Sequence, residues 1–433
     1  MTPSARIEAA IAVLTDIDAR RRPAADALKD WGLSHRFAGS GDRAAIAGLA
    51  YDALRRKASA AWLMAAETPR AAMIGMLRLA RELDVAAIDR LFDGVAHGPA
   101  PLTDDERQRL ASTSLDGAPP WVAGDYPEWL DAPLAAAFGA ERVEEGRALA
   151  ARAPLDLRVN SLKADRDDAM AALAHFGATE TRWSPDGLRI KVAADGKSPA
   201  VQAEPCFVKG LIEIQDEGSQ LAALLSGAAP GEQVLDLCAG GGGKTLALAA
   251  AMANRGQVFA FDTDSRRLAP IFPRLERAGT RNVQVRAPKG PRDVLADLAG
   301  HMDLVVIDAP CTGTGTWRRN PDAKWRLRPG ALAQRTEQQA ELLDQATRFV
   351  KPGGRIAYVT CSLLPEENDG QIEAFLARHP GWRARPPAEV AAALGERAML
   401  FLKAVRTSEV GLTMTPARTD TDGFFVALIT REG

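Results

Sequence analysis

At 433 residues, with 46% hydrophobic and 25% charged side chains, the chain is long enough for two or three domains with sizeable cores. Lys and Arg number 54 against 56 Asp and Glu, a formal net charge of -2, which excludes a globally basic chain; contact with a polyanion must rest on local patches. Four cysteines (Cys206, Cys238, Cys311, Cys361) are too few for a disulfide framework and lack zinc-type spacing, so reduced thiols and no metal are expected. The N-terminus has no basic, apolar and small-residue leader pattern, and no 18-residue uncharged apolar run occurs, so a cytoplasmic location is expected.

Residues 1–140 read as an all-helical domain. Ile7, Ala10, Ile11 and Leu14 recur at helical spacing, as do Ile46, Leu49, Ala50, Ala53 and Leu54 after an expected cap at Ser40 or Asp42. Two basic points, Arg20-Arg21-Arg22 and Arg55-Arg56-Lys57, suit phosphates if the fold joins them, or a solvated helix face if it does not. Gly and Pro between residues 98 and 120 predict a loop-rich linker.

Residues 141–226 read as a small α+β unit, with strands over Leu155–Asn160, Leu188–Val192 and Leu211–Gln215 and a helix over Asp167–His175. Alternation along the first strand places Arg158 and Asn160 on a water-facing side, where RNA contact is the competing reading.

From residue 227 to the C-terminus, strand and helix alternate, which predicts a doubly wound, Rossmann-like α/β domain with a parallel sheet. Val234–Cys238 runs into Ala239-Gly240-Gly241-Gly242-Gly243-Lys244-Thr245 and then an apolar helix. Four glycines at that junction leave backbone N–H groups open to a ligand. A P-loop is set aside, because its spacing needs glycine where Cys238 stands. Asp262, at the end of the next strand, suits ribose hydroxyls, and its alternative is a helix cap at Ser265 with Asp264 competing. Strands ending at Asp308 and Thr360 carry Cys311 and Cys361 just beyond their carboxyl ends, where open α/β sheets bind ligands. Both thiols are therefore expected in one pocket, with burial as small apolar residues the alternative.

Four segments carry a specific resemblance: Asp236-Leu-Cys-Ala-Gly-Gly-Gly-Gly-Lys-Thr245, Asp308-Ala-Pro-Cys-Thr-Gly-Thr-Gly315, Arg318-Arg-Asn-Pro-Asp-Ala-Lys-Trp325 and Thr360-Cys-Ser-Leu-Leu-Pro-Glu-Glu-Asn368. With Gln215-Asp-Glu-Gly-Ser-Gln220 and Asp422-Gly-Phe-Phe425, they resemble the RNA 5-methylcytosine methyltransferases of the RsmB/NOL/NSUN (Fmu) family. The helical N-terminal part, through Gly41–Lys57, resembles the NusB-like domain of the RsmB branch. The resemblance implies S-adenosyl-L-methionine as cofactor, RNA as partner (ribosomal first, transfer RNA second) and a monomer. It implies Cys361 as the nucleophile that adds to cytosine carbon 6, Cys311 as the group that assists release, and Asp308 as stabiliser of the ring and contact to the cofactor. Cys238, Ala239, Gly240, Gly241, Gly242, Gly243, Lys244, Asp262 and Asp308 are the implied cofactor-binding residues. DNA cytosine methyltransferases attack with the Pro-Cys cysteine instead, and the Thr360-Cys361 pair separates the two classes.

The basic stretch Arg318, Arg319, Lys324, Trp325, Arg326 and Arg328 beside the Pro-Cys loop predicts RNA contact by its arginines and packing by Trp325. Three positions depart from the family pattern. Gly241 replaces a proline, Lys289 stands where an acid accepts from the adenine amine, with Asp293 as the nearest substitute, and Pro273 is expected to kink the helix after Asp262. Gly241 and Lys289 support a rival reading, a non-catalytic RNA-binding or ribosome-assembly factor on a methyltransferase fold.

Overall fold

The computed structural model describes residues 1–112, 114–191 and 199–432. The chain separates into two compact units, one from Met1–Arg152 and Trp317–Arg328, the other from the described residues of Ala153–Val192, Ser198–Thr316 and Pro329–Gly433.

The first unit is helical. Its opening helix, Pro3–Arg20, starts where Thr2 accepts from Ala5 N at 3.2 Å and Pro3 presets the first turn, and it buries Ile7, Ala10, Val13, Leu14 and Ile17. Helix Ser40–Arg55 starts after Gly39 with no side-chain cap, because Asp42 instead binds the N-terminal amine at 3.3 Å and Arg6 at 2.8 Å. The expected cap at Ser40 or Asp42 is therefore absent. The linker expected over 98–120 contains helix Asp104–Ser112, begun by a reciprocal pair in which Glu106 N donates to Thr103 Oγ1 and Thr103 N to Glu106 Oε2. That Thr-x-x-Glu capping box was readable and outweighs the surrounding Gly and Pro.

The two basic points are largely neutralised. Arg20 and Arg22 hold Asp16, Arg56 holds Asp125 at 3.3 Å and Lys57 holds Asp18 at 2.7 Å. Arg55 lies inside the unit and donates to the carbonyls of Ala151 and Arg318. The segment that carries the second basic stretch also packs inward. Arg318 is 3% and Lys324 1% exposed, Lys324 Nζ donates to Arg55 O and Asp125 O, and Trp325 Nε1 donates to Leu54 O at 2.6 Å. RNA contact by Arg318 is thus overturned, because it is enclosed, as is Lys324 of the same basic stretch; the packing of Trp325 holds.

In the second unit, strands β1 (Leu155–Val159), β2 (Thr179–Glu180), β3 (Gly187–Ile190) and β4 (Ile212–Ile214) form a small antiparallel sheet in the order β2-β3-β1-β4. Val192, the expected end of the third strand segment, lies outside the described residues. Arg158 and Asn160 are buried, contrary to both readings of them. Arg158 Nε donates to Gln215 Oε1 at 2.7 Å, and Asn160 Nδ2 donates to Gly210 O and Ala278 O. Both sheet faces are covered here, and alternation reports the face of a strand but not what covers it.

The larger sheet comprises β5 (Gln233–Asp236), β6 (Gln257–Ala260), β7 (Val283–Val285), β8 (Met302–Asp308), β9 (Val350–Thr360), β10 (Trp382–Ala384), β11 (Arg406–Thr407), β12 (Leu412–Met414) and β13 (Phe424–Arg431). Its order is β11-β12-β13-β9-β8-β5-β6-β7, with β10 beside β13. Strands β5 to β9 pair in parallel as expected, and β13 closes antiparallel on β9, making the sheet mixed. Leu304, Val305, Val306 and Ile307 are fully buried, each contributing about 1.5–3 kcal/mol of apolar burial, so β8 is a rigid central rail. The helix expected after Asp262 is two helices, Ser265–Leu268 and Ile271–Ala278. Its break falls at Ala269–Pro270, and Pro273 sits in the first turn of the second helix, where a missing N–H costs little. Among the described residues no helix is long and apolar enough to cross a membrane, and no cluster of His, Cys, Asp or Glu could hold a metal ion.

Candidate active site

Adjacent parallel strands β8 and β9 release their loops at the same sheet edge. The thiols they carry meet there, Cys311 Sγ lying 3.3 Å from Cys361 Sγ. Both are free and partly accessible. The Cys311 thiol is pushed well up by its hydrogen bond to Cys361, by burial and by the negative charges of Cys361 and Glu367. Ala309 N donates to Val359 O at 2.8 Å and Gly315 N to Cys361 O at 2.9 Å, which ties the two loops together. A close glycine pair completes the junction: a Cβ on Gly315 would stand 2.2 Å from Gly423 O, and Gly423 N donates to Gly315 O at 2.8 Å. That contact explains the glycine of the Asp422-Gly-Phe-Phe425 segment.

Asp308 ends β8, and its Oδ2 holds Lys244 Nζ at 2.8 Å. Burial lowers the proton affinity of this lysine, but Asp308, Cys361 and Asp236 raise it further, so Lys244 is a firmly charged cation. Asp308 thus joins the glycine loop to the thiol pair.

The glycine loop turns through left-handed backbone at Gly240 and Gly242 before helix Gly243–Ala251. A Cβ on Gly242 would stand 2.4 Å from the Ile271 side chain, so only glycine fits. Asp262 is 2% exposed; its Oδ2 accepts from Gly240 N at 3.0 Å and its Oδ1 from Asp264 N at 2.9 Å. Asp264 takes the helix cap. Gly241 is held in place of its missing proline: Arg274 donates to the Gly241 carbonyl while pairing with Glu213 at 3.1 Å. Cys238, at the loop's entry, is pushed well up by burial and by Asp236, Asp308 and Asp262, and so stays a neutral thiol. Ala239 N donates to Phe261 O at 2.8 Å.

Asp236, whose role was not readable from the sequence, opens the glycine-loop segment and lies beneath this loop. Thr245 donates to its Oδ2 at 2.6 Å, its Oδ1 is buried without a partner, and burial pushes its pKa to about 7. A buried carboxylate oxygen awaiting a donor, beside left-handed glycines and a ribose-type acid, fits a nucleoside bearing an ammonium group. At the far end of the loop system, Gln284, Arg286, Ala287, Lys289, Arg292 and Asp293 are among the residues lining a cavity of about 540 Å³ past β7. Asp293 is committed, with its carboxylate 2.7 Å from Arg348 and accepting from Leu295 N.

The family profile described as "16S rRNA methyltransferase RsmB/F" matches residues 223–430, and that of the RsmF/B-like ferredoxin-like domain matches residues 126–196. The ribosomal RNA small subunit methyltransferase B of Sodalis glossinidius is 35% identical over 340 residues, covering 77% of this chain and 69% of that protein. The chain belongs to the RsmB/F family. The probable ribosomal RNA small subunit methyltransferase B of Synechocystis is 33% identical over 305 residues, covering 70% of this chain and 66% of that protein. The stretches matched in the RsmB relatives from Klebsiella pneumoniae span 58% of those proteins. The crystal structure of PH0851 superposes over 100% of this chain and 99% of its own at a TM-score of 0.72 and 25% identity. A methyltransferase homolog protein from Pyrococcus horikoshii covers 74% of this chain and 100% of its own, with a TM-score of 0.58 and 27% identity. The fold is that of the S-adenosylmethionine-dependent methyltransferases, and S-adenosylmethionine is the cofactor of this RsmB/F-type domain.

Proposed function

We propose that the protein is an S-adenosylmethionine-dependent cytosine-5 methyltransferase of ribosomal RNA that works through a covalent adduct. The 3.3 Å approach of Cys311 and Cys361 carries this reading, since two thiols at one strand edge supply both the attacker and the releaser this chemistry needs. Cys361 adds to carbon 6 of a cytosine turned out of its RNA, which makes carbon 5 nucleophilic. Asp308, charge-balanced by Lys244, faces the charge that develops on the ring. Cys311 then assists loss of the carbon 5 proton, and expulsion of Cys361 restores the aromatic ring. S-adenosylmethionine supplies the methyl group when bound. Cys238, Ala239, Gly240, Gly241, Gly242, Gly243, Lys244, Asp262 and Asp308 would hold it, with Asp236 added on the strength of its unpartnered oxygen. The division into residues 1–140, 141–226 and 227–433, a cytoplasmic location and a monomeric state belong to the same proposal.

Methyl transfer from labelled S-adenosylmethionine to small-subunit ribosomal RNA, with the product mapped by bisulfite sequencing, tests the reading. A Cys361→Ala variant as active as the wild type would end it. The rival, a non-catalytic assembly factor, draws on Gly241 and on Lys289, which lines the cavity past β7, and tight calorimetric binding of S-adenosylmethionine would remove it.

A further inference from the structure

One buried charge beneath the thiol pair lies outside the mechanism described above. Glu367 is 0% exposed and belongs to the Thr360–Asn368 segment. Its Oε1 accepts from Thr312 N at 2.8 Å and from Gln339 Nε2 at 3.0 Å, and its Oε2 accepts from Thr312 Oγ1. Gln339 Nε2 also donates to Pro310 O at 3.0 Å. Pro310 and Thr312 flank Cys311, so one carboxylate and one amide grip the turn on both sides of that thiol. The grip continues toward Cys361 through Thr312 Oγ1 and Ser362 Oγ at 3.3 Å, and Tyr358 OH on β9 donates to Glu367 O at 2.8 Å. A carboxylate taken fully out of water is costly unless its oxygens are satisfied, and here three donors satisfy them.

We propose that Glu367 is a positioning residue that assigns the two thiols their roles: it clamps the turn carrying Cys311 and sets its carboxyl group beside that thiol. Four groups share this surrounding. Cys361 hydrogen-bonds Cys311; Glu367 and Cys361 both disfavour its thiolate; Tyr358, pushed up by burial, Cys311 and Glu367, stays a neutral phenol; and Lys244 is drawn to Asp308 and Cys361. No cation contacts Glu367 through any hydrogen bond or ion pair observed among the described residues, so its charge acts on the turn undiluted. Before RNA arrives Cys311 holds its proton, and Cys361 is the thiol that attacks. Once Cys361 is bonded to carbon 6, its hydrogen bond and negative charge no longer act on Cys311, which gives its own proton to water and then takes the carbon 5 proton as Cys361 leaves.

The inference rests on the covalent reading for its purpose, but its first test does not use RNA. In a Cys361→Ser background, the pH dependence of iodoacetamide alkylation at Cys311, read by peptide mass spectrometry, reports its thiolate directly. Glu367→Gln keeps the size, still accepts from Thr312 N and Gln339 Nε2 through its one oxygen, and donates to rather than accepts from Thr312 Oγ1. It removes the charge, so alkylation at pH 8 rises about threefold to tenfold as the midpoint moves to lower pH. An unchanged or higher midpoint overturns the electrostatic half of the proposal. In the otherwise native chain, Glu367→Ala, with an unchanged near-ultraviolet spectrum, accumulates the RNA adduct as Cys311→Ala does; normal release would overturn the clamp. If no adduct forms even with Cys311→Ala, the covalent reading has failed, and the alkylation result still stands or falls alone.

Discussion

The two ends of the candidate site are held in opposite ways. Around the thiols, strands β8 and β9, the Gly315–Gly423 contact, and the Thr312, Ser362, Gln339 and Glu367 hydrogen bonds determine position several times over. Around the glycine loop the supports are mostly to backbone: Gly242 N to Ala239 O, Ala239 N to Phe261 O, Asp262 to Gly240 N and Arg274 to the Gly241 carbonyl. On the proposed reading the reacting groups are preorganised by side-chain contacts, while the left-handed glycines of the cradle leave backbone open to the ligand. Substitution should therefore strike kcat at one end and cofactor affinity at the other.

The largest effect breaks the thiol end. Cys361→Ala lowers single-turnover methyl transfer by at least about 10³-fold with cofactor affinity unchanged, measured by labelled methyl incorporation beside calorimetry. Cys311→Ala leaves attack intact and traps RNA, visible as a denaturation-resistant band. At the cradle, Gly242→Ala meets both a φ of 82° and the Ile271 side chain, and weakens S-adenosylmethionine binding by about 1–3 kcal/mol, roughly fivefold to 150-fold by calorimetry. Arg274→Ala frees the Gly241 carbonyl and costs about 1 kcal/mol of affinity, some fivefold, with single-turnover chemistry at saturating cofactor preserved.

The smallest effect is on stability. Asp236 has its pKa raised from 3.8 to about 7 by burial, so between those values the folded state holds a proton that the unfolded state has lost. Stability from this group is present below about pH 4 and declines as pH rises toward 7, at a slope of up to about 1.4 kcal/mol per pH unit. Asp236→Asn removes that decline, and urea melts at pH 5 and 7 compare the slopes. An equal slope in both proteins would show that Asp236 ionises freely.

Much of the catalytic half was legible because it is written in local order. Strand, glycine loop and helix alternate, and two strand ends carry thiols, so topology alone brings Cys311 and Cys361 to one edge. The roles of Arg158, Asn160, Arg318 and Lys324 were not legible, because a polar residue's burial depends on partners distant in sequence, such as Gln215, Ala278 and Asp125. Arg274 as the support for Gly241 was hidden for the same reason, since the two residues lie 33 apart in the chain. Glu367 lies in the Thr360–Asn368 segment, yet its grip on Thr312 joins loops from strands that meet only in the folded sheet.

By itself, then, the sequence determined the alternating α/β architecture, the helical leading part and the paired thiols, since periodicity and strand order are properties of neighbouring residues. Tertiary structure decided which charges are structural and which face the site. Burial sets that choice: enclosing Lys324 turns a basic-patch residue into an internal strut, and enclosing Glu367 turns an ordinary carboxylate into the charge that separates two otherwise similar thiols.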